Sequence, residues 1–224
     1  MTPRSVLAIG ARPLEVEFHA AATLAHLVRG GANVMVLLCS EAYPGGGDSE
    51  RRREETRRGA EAAGIKEVVF LDTPSPGVGA REELRRELVR WIRRGRPELV
   101  LCPDPTTHWI ELEDHTRLVE SASRTTGRAV LDAVHPRTAS RASYEDLGRE
   151  GLKAWLVPEV WLFASKRPNH FVDISEVLDV KHAVLACHQS ESPVRLIEEA
   201  DAEADSWLRA QGFKAEAFRQ LRLI

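Results

Sequence analysis

The chain has 224 residues, of which 43% are hydrophobic and 29% charged, and its formal charge at pH 7 is -3. This composition is typical of a folded globular protein, and the length predicts one α/β domain spanning residues 1–224. The small net charge provides no basic field, which argues against nucleic acid or an anionic membrane surface as a partner. A small-molecule ligand or a protein partner is favoured instead, and the oligomeric state is left open.

The cysteines and the hydropathy of the chain indicate where in the cell the protein is located. The three cysteines, Cys39, Cys102 and Cys187, are an odd number and form no C-x-x-C pair. They are expected to be buried, reduced thiols, which indicates a reducing compartment. The first residues do not resemble a signal peptide, and no run of about 18 apolar residues is present. These features predict a cytoplasmic protein that does not enter a membrane.

The first half of the chain alternates between short apolar runs and segments of helical periodicity. Such alternation predicts a mostly parallel sheet with helices on both faces, a Rossmann-like arrangement. Strands are predicted at residues 5–10, 32–39, 67–71, 99–102, 158–164 and 169–174. Helices are predicted at residues 16–28, 49–64, 82–94, 117–134, 175–189 and 195–211.

Parallel sheets bind ligands outside the carboxyl ends of their strands. The loops at residues 11–17, 40–48, 73–79 and 103–115 follow predicted strands and are therefore the segments where a site is expected. None of them carries G-x-G-x-x-G, a P-loop or a G-x-S-x-G nucleophile elbow, which argues against a nucleotide cofactor and against a serine hydrolase.

Several short motifs along the chain are distinctive together. Residues 10–18 read G-A-R-P-L-E-V-E-F, residues 104–107 read D-P-T-T, residues 172–175 read V-D-I-S and residues 188–190 read H-Q-S. In this order they resemble the PIG-L/LmbE-like zinc de-N-acetylases, whose first motif is G-A-H-P-D-D-V-E-F. The resemblance covers nearly the whole chain and implies the α/β fold of that family.

The resemblance also implies a zinc site, at which this sequence differs from the family pattern. In the family the His and the second Asp of H-P-D-D bind zinc with the last His of H-P-D-H, and the first Asp is the general base. Here the matching positions hold Arg12, Leu14 and Glu15, and one alignment places Ser123 at the last ligand. A second alignment places residues 112–115 on H-P-D-H and offers His115 instead.

These substitutions lead to a first hypothesis of a degenerate, non-hydrolytic family member that binds a small molecule or a protein. A guanidinium has no lone pair for a metal, and Leu14 cannot accept a proton. No catalytic residue, metal or other cofactor is then expected, and Arg12 is expected to pair with Glu15 or Glu17 or to face an anionic ligand. The predicted pocket residues are Arg12, Glu15, Glu17, His19, His108, Ser123 and His188.

The alternative hypothesis is a metal-dependent de-N-acetylase with a changed ligand set. Glu15 and His19 are four residues apart at a helix start and share one face, so that together with His115 they could bind zinc. Glu17 or Asp114 would then be the general base. In this case the resemblance implies hydrolysis of an N-acetylamino sugar or a related amide.

Overall fold

The computed structural model describes residues 2–40, 48–71, 80–111, 116–119 and 121–223. Seven strands form one sheet in the order β3-β2-β1-β4-β7-β9-β8, and β5 and β6 form a separate antiparallel hairpin. The strands are β1 Ser5–Gly10, β2 Asn33–Leu38, β3 Glu67–Phe70, β4 Leu99–Pro103, β5 Trp109–Glu111, β6 Thr116–Leu118, β7 Glu159–Phe163, β8 His170–Asp173 and β9 Ala215–Arg222.

The sheet is mostly parallel, as predicted. Strands β3, β2, β1, β4 and β7 pair in parallel, and only β9 runs against its two neighbours. The helices are α1 Glu15–Arg29, α2 Ser49–Ala62, α3 Ala80–Gly95, α4 Ser121–Asp132, α5 Glu145–Arg149, α6 Leu178–Ala186, α7 Pro193–Ser206 and α8 Leu208–Gln211, and a kinked π-helical segment covers Ala133–Thr138.

Both faces of the sheet are covered because each central strand is apolar on both sides. In β1, Val6 and Ala8 face a cluster that includes side chains of α1, α2 and α6. Leu7 and Ile9 face the opposite cluster, to which α3 and α4 contribute. This confirms the predicted arrangement of helices on both faces.

The start of α4 was misplaced in the prediction, the helix predicted at 195–211 is two helices, α7 and α8, and strand β9 was missed. The helix predicted from residue 117 begins instead at Ser121, because residues 116–118 pair with β5 as a strand. Strand β9 was not predicted, although it lies between β7 and β8. Its side chains become increasingly exposed toward its end, so the apolar pattern is weak there.

The three cysteines are free thiols, but they differ in exposure. Cys39 and Cys102 are buried, as expected, whereas Cys187 is partly exposed because it caps the carboxyl end of α6. Within the described parts of the chain, no helix has the length and hydropathy needed to cross a membrane.

Candidate functional site

The loop that leaves β1 positions the first side chains of the site. Leu14, the residue before α1, has a positive φ of 74°. The carboxylate of Glu15 folds back, and its Oε2 accepts a hydrogen bond of 2.5 Å from the backbone N–H of Ala11. A side chain on Gly10 would lie 2.9 Å from Val16 Cγ2, so this glycine lets the loop turn tightly against α1. The loop is thereby held in one conformation at the carboxyl end of β1.

A cavity of about 270 Å³ opens at this end of the sheet. Four of the predicted pocket residues, Arg12, Glu15, His19 and Ser123, line it. Its other walls come from the loops after β1, β4 and β7, from the β6 strand and from helix α7. These further lining residues are Pro13, Leu14, Phe18, Pro103, Asp104, Thr107, Leu118, Val119, Ala164, Leu196 and Glu199.

His19 is held by aromatic packing. Its ring stacks on Phe163 at a centroid distance of 5.4 Å and meets Phe18 edge to face. Its Nδ1 lies 4.0 Å from Glu203 Oε2. Burial lowers the pKa of His19 below its usual value, against the opposing effect of Glu203. The ring is therefore neutral near pH 7 and retains a nitrogen lone pair.

Asp104 was not among the predicted site residues, although it directly follows β4. It is buried, and its Oδ1 accepts hydrogen bonds from the backbone N–H and the hydroxyl of Thr106 at 2.8 and 2.6 Å. The D-P-T-T motif and its place at a strand end were signals that could have identified it. Leu196 and Glu199 had no such signal, because only the packing of α7 brings them to the cavity.

Ser123 reaches the cavity because helix α4 packs closely on the end of β4. A Cβ added to Gly127 would lie 2.2 Å from the carbonyl oxygen of Pro103. The absence of a side chain at this position lets the two backbones approach, and Ser123 lies one turn earlier on the same helix. The alignment that places Ser123 at the family's last ligand position is compatible with this location.

The other predicted residues lie elsewhere. Glu17 points away from the cavity into the interior, where its Oε1 is 3.6 Å from His188 Nε2. Burial raises the pKa of Glu17 from 4.5 to about 7 and lowers that of His188 from 6.5 to about 4. His108 is exposed beside Trp109 and does not line the cavity. Asp114 and His115 lie outside the described residues.

The described side chains that line the cavity do not by themselves provide enough ligands for a zinc ion. Arg12 cannot bind a cation, one oxygen of Glu15 is engaged by Ala11, and a serine hydroxyl such as that of Ser123 is a poor zinc ligand. In the described part of the chain, no three His, Cys, Asp or Glu side chains are grouped so that they could bind a metal. Glu15 and His19 are two possible ligands, and the proposed third, His115, is not described.

Comparison with known proteins identifies relatives of the chain. The family model described as PIG-L, GlcNAc-PI de-N-acetylase, matches residues 7–126. The diacetylchitobiose deacetylase of Thermococcus kodakarensis is 32% identical over 202 residues, which cover 85% of this chain and 71% of that protein.

Solved structures share the fold. The N,N'-diacetylchitobiose deacetylase from Pyrococcus horikoshii superposes with a TM-score of 0.84 at 22% identity, covering 98% of this chain and 84% of that one. The 4-carboxy-2-hydroxymuconate hydratase GalB from Pseudomonas putida has a TM-score of 0.77 at 19% identity, covering 97% and 96%. At these identities the likeness concerns the fold.

Proposed function

The chain belongs to the PIG-L family, and on that premise we propose that it is a de-N-acetylase that hydrolyses the amide of an N-acetylamino sugar or a related conjugate in the cytoplasm. The observation that carries the proposal is the 32% identity with a diacetylchitobiose deacetylase across 85% of the chain. Identity at this level over most of both chains supports the same type of reaction.

The geometry of the cavity is compatible with such a substrate. Its volume of about 270 Å³ suits a single sugar ring, and it lies at the carboxyl ends of the strands. Arg12, Glu15 and Asp104 offer charged hydrogen-bonding groups, while Phe18 and Leu118 offer apolar surface. The zinc ligands in this proposal are Glu15, His19 and His115.

A second candidate is a family member that binds its ligand without hydrolysing it. The observation that favours it is local: Arg12 and Leu14 line the cavity at positions where the family has a zinc ligand and a general base. In this case the cavity binds a small molecule through Arg12 and its neighbours, or a protein partner covers it.

Two measurements on the purified protein separate the candidates. For the de-N-acetylase we expect bound zinc after purification without chelators and release of acetate from N,N'-diacetylchitobiose or N-acetylglucosamine. Glu15→Gln and His19→Asn should each lower the zinc content, whereas His182→Asn, on the partly exposed α6 surface, should not. Zinc-free protein that releases no acetate would overturn the de-N-acetylase.

A restoration variant tests the second candidate directly. It combines Arg12→His, Leu14→Asp, Glu15→Asp and Ser123→His, which together rebuild the family's side chains. Zinc binding and acetate release that occur only in this variant would support the non-hydrolytic candidate. Stoichiometric zinc in the unchanged protein would refute it.

A further inference from the structure

His19 lies between the cavity at the carboxyl ends of the strands and helix α7. It is on the first turns of α1 and lines this cavity, with 17% of its side chain exposed. Its Nδ1 lies 4.0 Å from Oε2 of Glu203, which is on α7 and does not line the cavity. The edge of the ring that carries Nδ1 is therefore turned toward α7, and Nε2 is the nitrogen on the other side of the ring.

Packing fixes the plane of the His19 ring. Phe163 stacks on it at an interplanar angle of 17°, and Phe18 meets it edge to face at 84°. A ring that is packed on two sides has few ways to turn, so Nδ1 keeps its direction. Glu199, four residues before Glu203 and so on the same face of α7, lines the cavity. This face of α7 is thus the one turned toward His19.

The other charged groups near His19 have partners of their own. Glu15 on α1, Glu216 on β9 and Lys181 on α6 also act electrostatically on the ring. Oε2 of Glu15 accepts a hydrogen bond from a backbone N–H, and Lys181 Nζ lies 2.7 Å from Glu216 Oε1. The side chain of Glu203 is 47% exposed, and its carboxylate accepts no hydrogen bond within the described residues. It is therefore available to the imidazole.

We propose that Glu203 is a positioning residue, which accepts a hydrogen bond from Nδ1–H of His19 and so leaves the Nε2 lone pair for a ligand in the cavity. An isolated neutral histidine favours the tautomer with its proton on Nε2, so the opposite tautomer needs a partner at Nδ1. The distance of 4.0 Å exceeds a hydrogen bond, and rotation of the half-exposed glutamate side chain is enough to close it.

This inference deepens the proposed function. Histidines that bind a metal almost always donate their second ring N–H to a carboxylate, a carbonyl or a water, which fixes the orientation of the ring. The role of His19 as a zinc ligand rests on the proposed function, whereas its tautomer does not. The tautomer can therefore be measured whether or not the protein binds zinc.

The test is the tautomer of His19 in the full-length protein after treatment with a chelator. It is read at pH 8 from the ¹⁵N shifts of the histidine rings, and His19→Asn identifies the His19 signal among the eight histidines. We expect Nδ1–H in the unchanged protein. Glu203→Ala removes the acceptor but suits a helix, and it should shift the ring to Nε2–H. Glu203→Gln should retain Nδ1–H, because its amide oxygen still accepts.

The matched control is Glu198→Ala, an exposed glutamate on another face of α7, which should leave the tautomer unchanged. The proposal is overturned if the unchanged protein holds its proton on Nε2, as it would if His19 donated to Glu15 instead. It is also overturned if Glu203→Ala retains Nδ1–H, or if Glu198→Ala changes the tautomer as much as Glu203→Ala does.

Zinc affinity separates this inference from the proposed function. In a protein that binds zinc, Glu203→Ala should weaken binding by about 10- to 100-fold, and Glu203→Gln should weaken it less. Equal zinc affinity in Glu203→Ala and the unchanged protein would overturn the positioning role. A tautomer that depends on Glu203 in a protein that binds no zinc would support the positioning role and overturn the zinc site.

Discussion

The loop after β1 holds Leu14 in a backbone conformation that suits a leucine poorly. Its φ of 74° places a leucine in the left-handed region, which costs an L-residue roughly 1–2 kcal/mol. Asparagine tolerates this region better. We therefore expect Leu14→Asn to raise the free energy of unfolding by about 1 kcal/mol in urea denaturation.

The control for Leu14 is another leucine in an ordinary conformation. Leu208, which is 45% exposed at the start of α8, has no positive φ. Leu208→Asn should leave the stability unchanged or lower it. If Leu14→Asn were no more stable than the unchanged protein, the strain at this position would not be real.

The burial of Glu17 and of His188 makes stability depend on pH. Because the folded-state pKa of Glu17 is raised from 4.5 to about 7, the folded protein binds this proton more strongly than the unfolded chain does. The contribution of Glu17 to stability is therefore lost as pH rises from about 4.5 to about 7, by about 3 kcal/mol in all. For His188, whose pKa is lowered to about 4, stability is lost instead as pH falls below 6.5.

Glu17→Gln separates the effect of the Glu17 carboxyl group on stability from the effect of His188. Since His188 remains in both proteins, we expect the stability of the variant relative to the unchanged protein to increase by about 3 kcal/mol between pH 4.5 and pH 8. Urea denaturation at several pH values measures this difference. The exposed Glu61, changed to Gln, should show no such trend, and a difference independent of pH for Glu17→Gln would contradict the prediction.

At the scale of elements, one buried ion pair joins α6, β9 and α1. Lys181 Nζ lies 2.7 Å from Glu216 Oε1, and both side chains are almost fully buried. The same carboxylate accepts hydrogen bonds from the backbone N–H groups of Ala22 and Thr23 at 3.2 and 2.8 Å. Three elements from distant parts of the sequence are thus held at one point.

Removing only the lysine should lower the free energy of unfolding strongly, because it leaves a buried carboxylate without its counter-charge. We expect Lys181→Met to lower the free energy of unfolding by about 3–5 kcal/mol, and the double variant with Glu216→Gln to lose less. Urea denaturation of both variants measures the difference. The exposed pair of Arg195 and Glu199 provides the control, since Arg195→Met should cost at most about 0.5 kcal/mol. An equal loss in the single and double variants would argue against the pair.

The contact of α4 with β4 depends on a missing side chain. Because a Cβ on Gly127 would lie 2.2 Å from the backbone of Pro103, Gly127→Ala must displace the helix and should cost about 1–3 kcal/mol. Gly148, in α5, has nothing within 4 Å of such a Cβ, so Gly148→Ala should instead stabilise by about 0.5–1 kcal/mol. The midpoints of thermal unfolding compare the stability of the two variants. Similar midpoints would contradict the close approach of α4 to β4.

Over the whole molecule, the parallel half of the fold could be predicted from the sequence. Strands β1 to β4 are continuous apolar runs between helical segments, and few folds other than a parallel α/β sheet fit this pattern. The β5–β6 hairpin and β9 could not be predicted, since three-residue strands and a partly exposed strand carry little periodicity. Their pairing is decided by contacts with distant parts of the chain.

The site was predictable only in part, for a similar reason. Arg12, Glu15, His19 and Ser123 lie on motifs or helix starts next to strand ends, and the structure brings them to one cavity. Glu17 was placed with them because it is close in sequence, but it is two residues from Glu15 on a helix and therefore faces another direction. The side chains from α7 depend on tertiary packing alone.

The position of β9 has a consequence for how the molecule is made. This strand is the last in sequence, yet β8 reaches the sheet only through it. During synthesis on a ribosome, residues 170–173 must therefore wait for residues 215–222 to emerge before they can be paired. Until then Lys181 lacks the carboxylate of Glu216, and β7 remains an unpaired edge of the parallel part of the sheet.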